Sequence, residues 1–265
     1  DWGEIIRLWP ALLILFGLEL IARGRRASGP IVGLLVVGVL VVVVSMAWPA
    51  ITAGRRMETR TLTVPALNID ESGIDIALGS AAIDLRAGEP GSPLLVARVS
   101  HVPGRSDPRL ETQTRLRRAE VRLDSEQRGL WLPLGSGRQE TWDVTIRPAF
   151  PVALTLALGV GNAEMDLQGL SLTRLDVRGG IGEHDITLSE RGAYAVQING
   201  GIGNIRLTVP EGVAARVRVD EGLGSVEVDE RFEREGRYYL TAGYEQVTER
   251  IDIDIDGGIG SIHVQ

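Results

Sequence analysis

Three copies of Gly-Gly-Ile-Gly stand at Gly179–Gly182, Gly200–Gly203 and Gly257–Gly260, with variants at Leu158–Gly161 and Glu221–Gly224. Glycine tetrads can wrap a phosphate, hold calcium in a β-roll, or turn a backbone corner. A dinucleotide fingerprint needs a third glycine and a following helix. His263 stands at that place after Gly258 and Gly260, and Asp185 after Gly180 and Gly182. A phosphate loop needs Lys, and all 28 basic residues are Arg. A calcium roll has a much shorter repeat and needs Asp two places after the tetrad. His184, Ile205 and Ile262 occupy that place.

Other residues with chemical potential are thinly spread. His101, His184 and His263 have no acidic or Cys partners at ligand spacing, and the chain has no Cys, so thiolate metal sites and disulfides are excluded. No Gly-x-Ser-x-Gly elbow is legible. In RIDIDIDGG, Asp252, Asp254 and Asp256 share one face of a strand. They read either as a cation- or peptidoglycan-facing site or as a solvated face that discourages sheet aggregation. Arg174, Arg178, Arg206, Arg216 and Arg218 fall on strands, as a ladder for a polysaccharide or as outward residues alternating with acids. Tyr238 and Tyr239, in RFEREGRYYLTAGY with Phe232 and Tyr244, read as a partner-binding patch or as a cap on the flank of the fold. No cofactor, metal or catalytic residue is expected.

The elements that carry these residues repeat. With the second residue of each tetrad as anchor, the positions are 159, 180, 201, 222 and 258, at intervals of 21, 21, 21 and 36. Leu154, Leu175, Val196, Val217 and Ile253 stand five places before the anchor, and Leu156, Val177, Ile198, Val219 and Ile255 three before. Val160, Ile181, Ile202, Leu223 and Ile259 follow it by one, and Met165, Ile186, Leu207, Val228 and Val264 by six. Polar residues alternate with many of them, so each unit reads as strand, glycine corner, strand and turn. An earlier copy lies around Gly79, with Ile74, Ile76, Ile83 and Leu85 in matching places, and LWLPLGSG at 130–137 is a degenerate one. TRLRRAEVRLD and TWDVTIR read as strands.

A period of this size predicts an all-β parallel solenoid of 21-residue coils over residues 61–265, because one unit cannot bury its apolar side alone. The corner glycines, Gly159, Gly161, Gly180, Gly182, Gly201, Gly203, Gly222, Gly224, Gly258 and Gly260, then permit positive φ and close approach of neighbouring coils. The apolar residue between each pair is expected to point inward and fill the corner.

Residues 1–60 are different. Ile31–Trp48 is an uncharged run, near the length that spans a bilayer. Ile5–Ala22 reads as a second span, whose Glu19 can pair with Arg23. A transmembrane helical hairpin with spans at about 5–22 and 31–48 is therefore expected to precede the solenoid. Arg23, Arg25 and Arg26 in the short loop place that loop in the cytoplasm and the C-terminal domain outside, although Arg55, Arg56 and Arg60 pull the other way. The first residue is Asp1, so further sequence is expected upstream. Residues 61–265 carry 21 Arg against 31 acids, which argues against non-specific nucleic-acid binding.

RLWPALLILFGLELIARGRR resembles the transmembrane region of LiaI/LiaF-type proteins, and the repeated GGIG strands are similar to the C-terminal domain of LiaF-like proteins and related toastrack domains. The resemblance covers most of the chain and is diffuse over 90–150. It implies a right-handed β-helical domain, and a bacterial cytoplasmic-membrane protein that responds to envelope stress or cell-wall-active antibiotics. It also implies the bilayer and a sensor histidine kinase or other envelope protein as partners, and a non-enzymatic role; a homo-oligomer is a further expected association. LiaF proper has four N-terminal helices where two are legible here, which bears on the kinase role more than on the fold. A structural or adhesive surface module is the alternative.

Overall fold

The computed structural model describes residues 57–265 apart from 67, 105, 128–138 and 221. The expected spans at 5–22 and 31–48 and the degenerate tetrad at 130–137 lie outside the described residues. No helix among the described residues is long and apolar enough to cross a membrane.

The domain is nearly all-β, with one 3-10 turn among the described residues, at Tyr244–Gln246. Its strands are β1 (Glu58–Val64), β2 (Glu71–Ala87), β3 (Leu95–His101), β4 (Ser106–Arg115), β5 (Arg118–Gln127) and β6 (Glu140–Ile146). The coils follow as β7 (Pro151–Val160) with β8 (Ala163–Asp166), β9 (Ser171–Ile181) with β10 (His184–Thr187), and β11 (Tyr194–Asn199) with β12 (Ile205–Thr208). Next come β13 (Ala214–Asp220), β14 (Leu223–Val228), a hairpin of β15 (Phe232–Glu235) and β16 (Tyr238–Thr241), then β17 (Arg250–Asp256) and β18 (Ile259–Val264).

Pairing sorts these strands into two rows joined at the glycine corners. One row runs β4-β5-β2-β7-β9-β11-β17-β13-β16-β15. The other runs β1-β3-β6-β2-β8-β10-β12-β18-β14. The long β2 belongs to both, with Ile74 and Ile76 beside Leu154 and Leu156 in one, and Ile83 and Leu85 beside Ala163 and Met165 in the other. Neighbouring coils are parallel and in register, so Leu154, Leu175 and Val196 stack one sequence repeat apart. Their side chains fill a single core with Ile76, Leu156, Val177, Ile198, Met165, Ile186 and Leu207, all buried. Leu167, Leu188 and Val209, in the turns between coils, are buried in it too.

Stacking does not follow chain order. The last coil, β17–β18, sits between β11–β12 and β13–β14: Val196 pairs with Ile253, and Ile253 with Val217. The chain can return past its own coil because a long link, 229–249, separates β14 from β17, whereas only the short turn 188–193 separates β10 from β11. Within that link the β15–β16 hairpin lies antiparallel along the outer edge of β13. Phe232 is buried there, and Arg231 donates to the carbonyl of Val209.

TRLRRAEVRLD is a hairpin rather than one strand. Leu116 and Arg117 take left-handed φ values of 48° and 68° between β4 and β5. Such a turn is usually marked by Asn or Gly, so nothing in the residue types announced it.

Candidate interaction surface

The corner glycines are built from two separate requirements. Gly180 keeps φ outside the left-handed region, but a Cβ there would run into the carbonyl oxygen of Gly159 in the next coil. Gly182 combines a φ of 155° with the same obstruction from the oxygen of Gly161. The pattern repeats from Gly159 and Gly161, which face Gly79 and Ala81, through Gly201 and Gly203, then Gly258 and Gly260, to Gly222 and Gly224. This series retraces the spatial order of the coils rather than the chain order.

The first residue of the tetrad answers to size. It faces the inward residue five places on: a Cβ on Gly179 would strike the ring of His184, one on Gly200 would meet Ile205 Cδ1 at 3.1 Å, and one on Gly257 would meet Ile262 Cδ1 at 2.8 Å. In the coil with buried Leu158 at this place, the facing residue shrinks to Ala163.

The residue between the glycines points outward, contrary to the expectation that it fills the corner. Inward residues run 152, 154, 156 and 158 before the corner and 161, 163 and 165 after it, so the bend shifts the in–out alternation by one. The middle residue falls on the convex side. Val160, Ile181, Ile202, Ile259 and Leu223 are exposed by 40%, 51%, 50%, 51% and 71%. They pair in that order from coil to coil and form one aliphatic ridge. Exposed Glu183, Asp220 and Asp256 flank the ridge, with Arg178 and Arg218 nearby. Asp220 and Asp256 stand directly opposite each other on β13 and β17.

Asp252, Asp254 and Asp256 share the outer face of β17, alternating with buried Ile251, Ile253 and Ile255. Two of them are engaged by the next strand. Arg216 pairs with Asp252 at 2.8 Å, and Arg218 with Asp254 at 2.8 Å. Tyr244 donates to Asp252 at 2.6 Å, and Arg216 lies 5.1 Å over Tyr238 and 5.4 Å over Tyr244. Tyr238 and Tyr239 do not share a face. Tyr238 stacks under Arg216, while Tyr239 packs against the core. The remaining Arg residues also meet acids: Arg174 and Arg178 reach Asp176 at 3.3 and 3.7 Å, and Arg206 reaches Asp185 at 2.7 Å. They form local pairs rather than a ladder.

The sequence does not single out Glu140, and nothing in it shows that Glu140 or His184 is buried, because the strands that cover them are remote in the chain. His184 is 4% exposed with neither ring nitrogen hydrogen-bonded, and burial pushes its pKa down. Glu140 accepts from Trp142 Nε1 at 2.9 Å. Burial pushes its pKa up, against the pull of Ser106, Trp142, His101 and Ser125. His101 Nδ1 donates to the Ser106 carbonyl at 2.7 Å. Among the described residues, no three His, Asp or Glu side chains are grouped to hold a metal ion. The outer face of the second row forms an open trough of ≈ 750 Å³ with Asp84, Asp143, Glu164, Asp185, Arg206 and His263 along it.

A family model described as the N-terminal domain of toast_rack matches residues 52–208, more than half of the chain. The chain belongs to the toast_rack family. A second model, described as cell wall-active antibiotics response LiaF, C-terminal, matches residues 159–264 of this toast-rack chain. The two matches overlap on the coils from Gly159 to Thr208, so the family boundary falls inside one continuous stack. A solved structure from Clostridium sporogenes, described as a candidate cell adhesion protein, is 18% identical with a TM-score of 0.69, covering 79% of this chain and 99% of its own. A candidate adhesin from Bacteroides fragilis is 14% identical with a TM-score of 0.32, covering 80% of this chain and 98% of its own. The Clostridium likeness is one of fold. A search of curated proteins finds no match.

Proposed function

We propose that this toast-rack protein is a membrane-anchored, non-enzymatic regulator of the cell-envelope stress response, acting through contact with a membrane signalling protein such as a sensor histidine kinase. The observation that carries this reading is the match of residues 159–264 to the LiaF C-terminal model. Two features support it. The apolar runs at 5–22 and 31–48 suit an anchor in the bacterial cytoplasmic membrane, with the domain outside. The domain also presents an exposed aliphatic ridge of the kind that marks a protein contact. A structural or adhesive surface module, the alternative drawn from the sequence, is the second reading, and the description of the Clostridium structure is consistent with it.

A deletion strain carrying a reporter of envelope-stress transcription separates the two. Regulation predicts a changed response to a cell-wall-active antibiotic with unchanged surface binding. An unchanged response with altered surface binding favours the adhesive module. Sidedness is read by labelling a single Cys at position 116 in intact cells with a membrane-impermeant maleimide, with lysed cells as control. Leu116 is fully exposed, so a thiol there is open to the reagent.

A further inference from the structure

We infer that the ridge Val160–Ile181–Ile202–Ile259–Leu223 docks an amphipathic helix of a partner protein, with an aliphatic stripe flanked by Arg or Lys. This deepens the regulatory reading above, on which the existence of a protein partner rests. Five side chains at the strand spacing of about 4.8 Å make a line of about 19 Å, which matches roughly three and a half helical turns. Glycines on either side give the ridge no side-chain neighbours of its own along the corner, so it stands as a row of side chains between two rows of glycine. Such a row suits the groove between two rows of side chains on a helix.

Charge selects the occupant. Three carboxylates, Glu183, Asp220 and Asp256, flank the ridge, with the guanidinium groups of Arg178 and Arg218 nearby. Asp176 already engages Arg178 at 3.7 Å, and Arg218 reaches Asp220 at 3.2 Å. Asp220 and Asp256 stand opposite each other on the strand pair, and while Arg218 reaches Asp220, Asp256 and Glu183 have no ion pair among the described residues, which leaves them to an approaching cation. A second copy of the chain would set one acidic flank against another, and an anionic lipid surface would be repelled in the same way. A basic amphipathic helix satisfies both the apolar line and its flanks.

The test uses the full chain in detergent micelles, labelled at isoleucine δ1 methyls. It is titrated with a synthetic Leu/Lys amphipathic helix of about 18 residues, long enough to cover the ridge. The Ile181, Ile202 and Ile259 signals are expected to move saturably while those of buried Ile186 and Ile198 stay. The triple variant Ile181→Ser/Ile202→Ser/Ile259→Ser is expected to bind about tenfold more weakly or worse. Its buried isoleucine signals report whether the fold is kept. A Leu/Glu peptide is expected to bind at least about tenfold more weakly than Leu/Lys.

Stationary ridge signals, or equal binding of both peptides, overturn the proposal. So do ridge signals that move on raising protein concentration alone, which assigns the ridge to a second copy, or on adding phosphatidylglycerol vesicles, which assigns it to lipid. A failed titration beside an intact deletion phenotype removes the docking site and leaves the regulatory role. A missing deletion phenotype beside a saturable titration removes the role and leaves the site.

Discussion

Ile202 pairs with Ile259, while Leu223, much nearer to Ile202 in the chain, lies beyond Ile259 in the stack. The absence of Cys from the sequence makes this order directly testable. Asn204 Oδ1 accepts from the Ser261 hydroxyl, so an Asn204→Cys/Ser261→Cys pair is expected to cross-link under mild oxidation. An Asn204→Cys/Ser225→Cys pair is separated by the β18 strand and is expected to stay reduced. The reverse pattern, read on a non-reducing gel, would restore chain order to the stack.

Two glycine substitutions separate contact from conformation. Gly212 has φ 80° with open space where a Cβ would sit, so Gly212→Ala is expected to cost roughly 1 to 2 kcal/mol from backbone strain alone. Gly180→Ala meets the Gly159 carbonyl and must displace a coil, at about 3 kcal/mol or more. Unfolding midpoints that rank Gly212→Ala as the worse variant would contradict the close-approach account.

His184 carries a sign as well as a direction. Its folded-state pKa is lowered by burial, so the unfolded chain holds more protons, and stability falls as pH drops through the ordinary value of about 6.5. His184→Ile copies the neighbouring pairing of Gly200 with Ile205 and is expected to flatten the melting temperature between pH 7.5 and 5. A variant whose profile still slopes like the parent assigns the acid sensitivity elsewhere.

Glu140 acts in the opposite sense. Burial raises its folded-state pKa, so the folded chain holds the proton more tightly, and stability declines as pH rises through the ordinary carboxylate value of about 4.3. Glu140→Gln keeps an acceptor for Trp142 Nε1 and removes the charge. It is expected to raise the melting temperature at pH 7 more than at pH 4, and an equal change at both would rule out the charge as the cause.

Arg216 joins the last coil to its outer neighbour through Asp252 and through the rings of Tyr238 and Tyr244. These contacts are partly exposed, so Arg216→Ala is expected to cost about 1 kcal/mol, shrinking in high salt. A salt-independent loss would point to packing of the side-chain stem rather than charge.

The residues determined the coil as a unit. Alternating aliphatics at a spacing of 21 announce two inward strands about a glycine corner, and the structure carries that pattern back to Gly79, whose Ile74 and Ile76 stack on Leu154 and Leu156. Tertiary structure decided three things that a period cannot. It chose the order of the coils, because every coil offers the same aliphatic edge and any one can stack on any other. It brought Glu140, His101, Ser106 and Trp142 together, because pairing of β3 with β6 joins segments remote from each other in the chain. It turned the residue between the glycines outward, because the corner shifts the in–out alternation by one place. A strict period of two predicts Ile181, Ile202 and Ile259 inside. The bend leaves them as the aliphatic ridge on the surface.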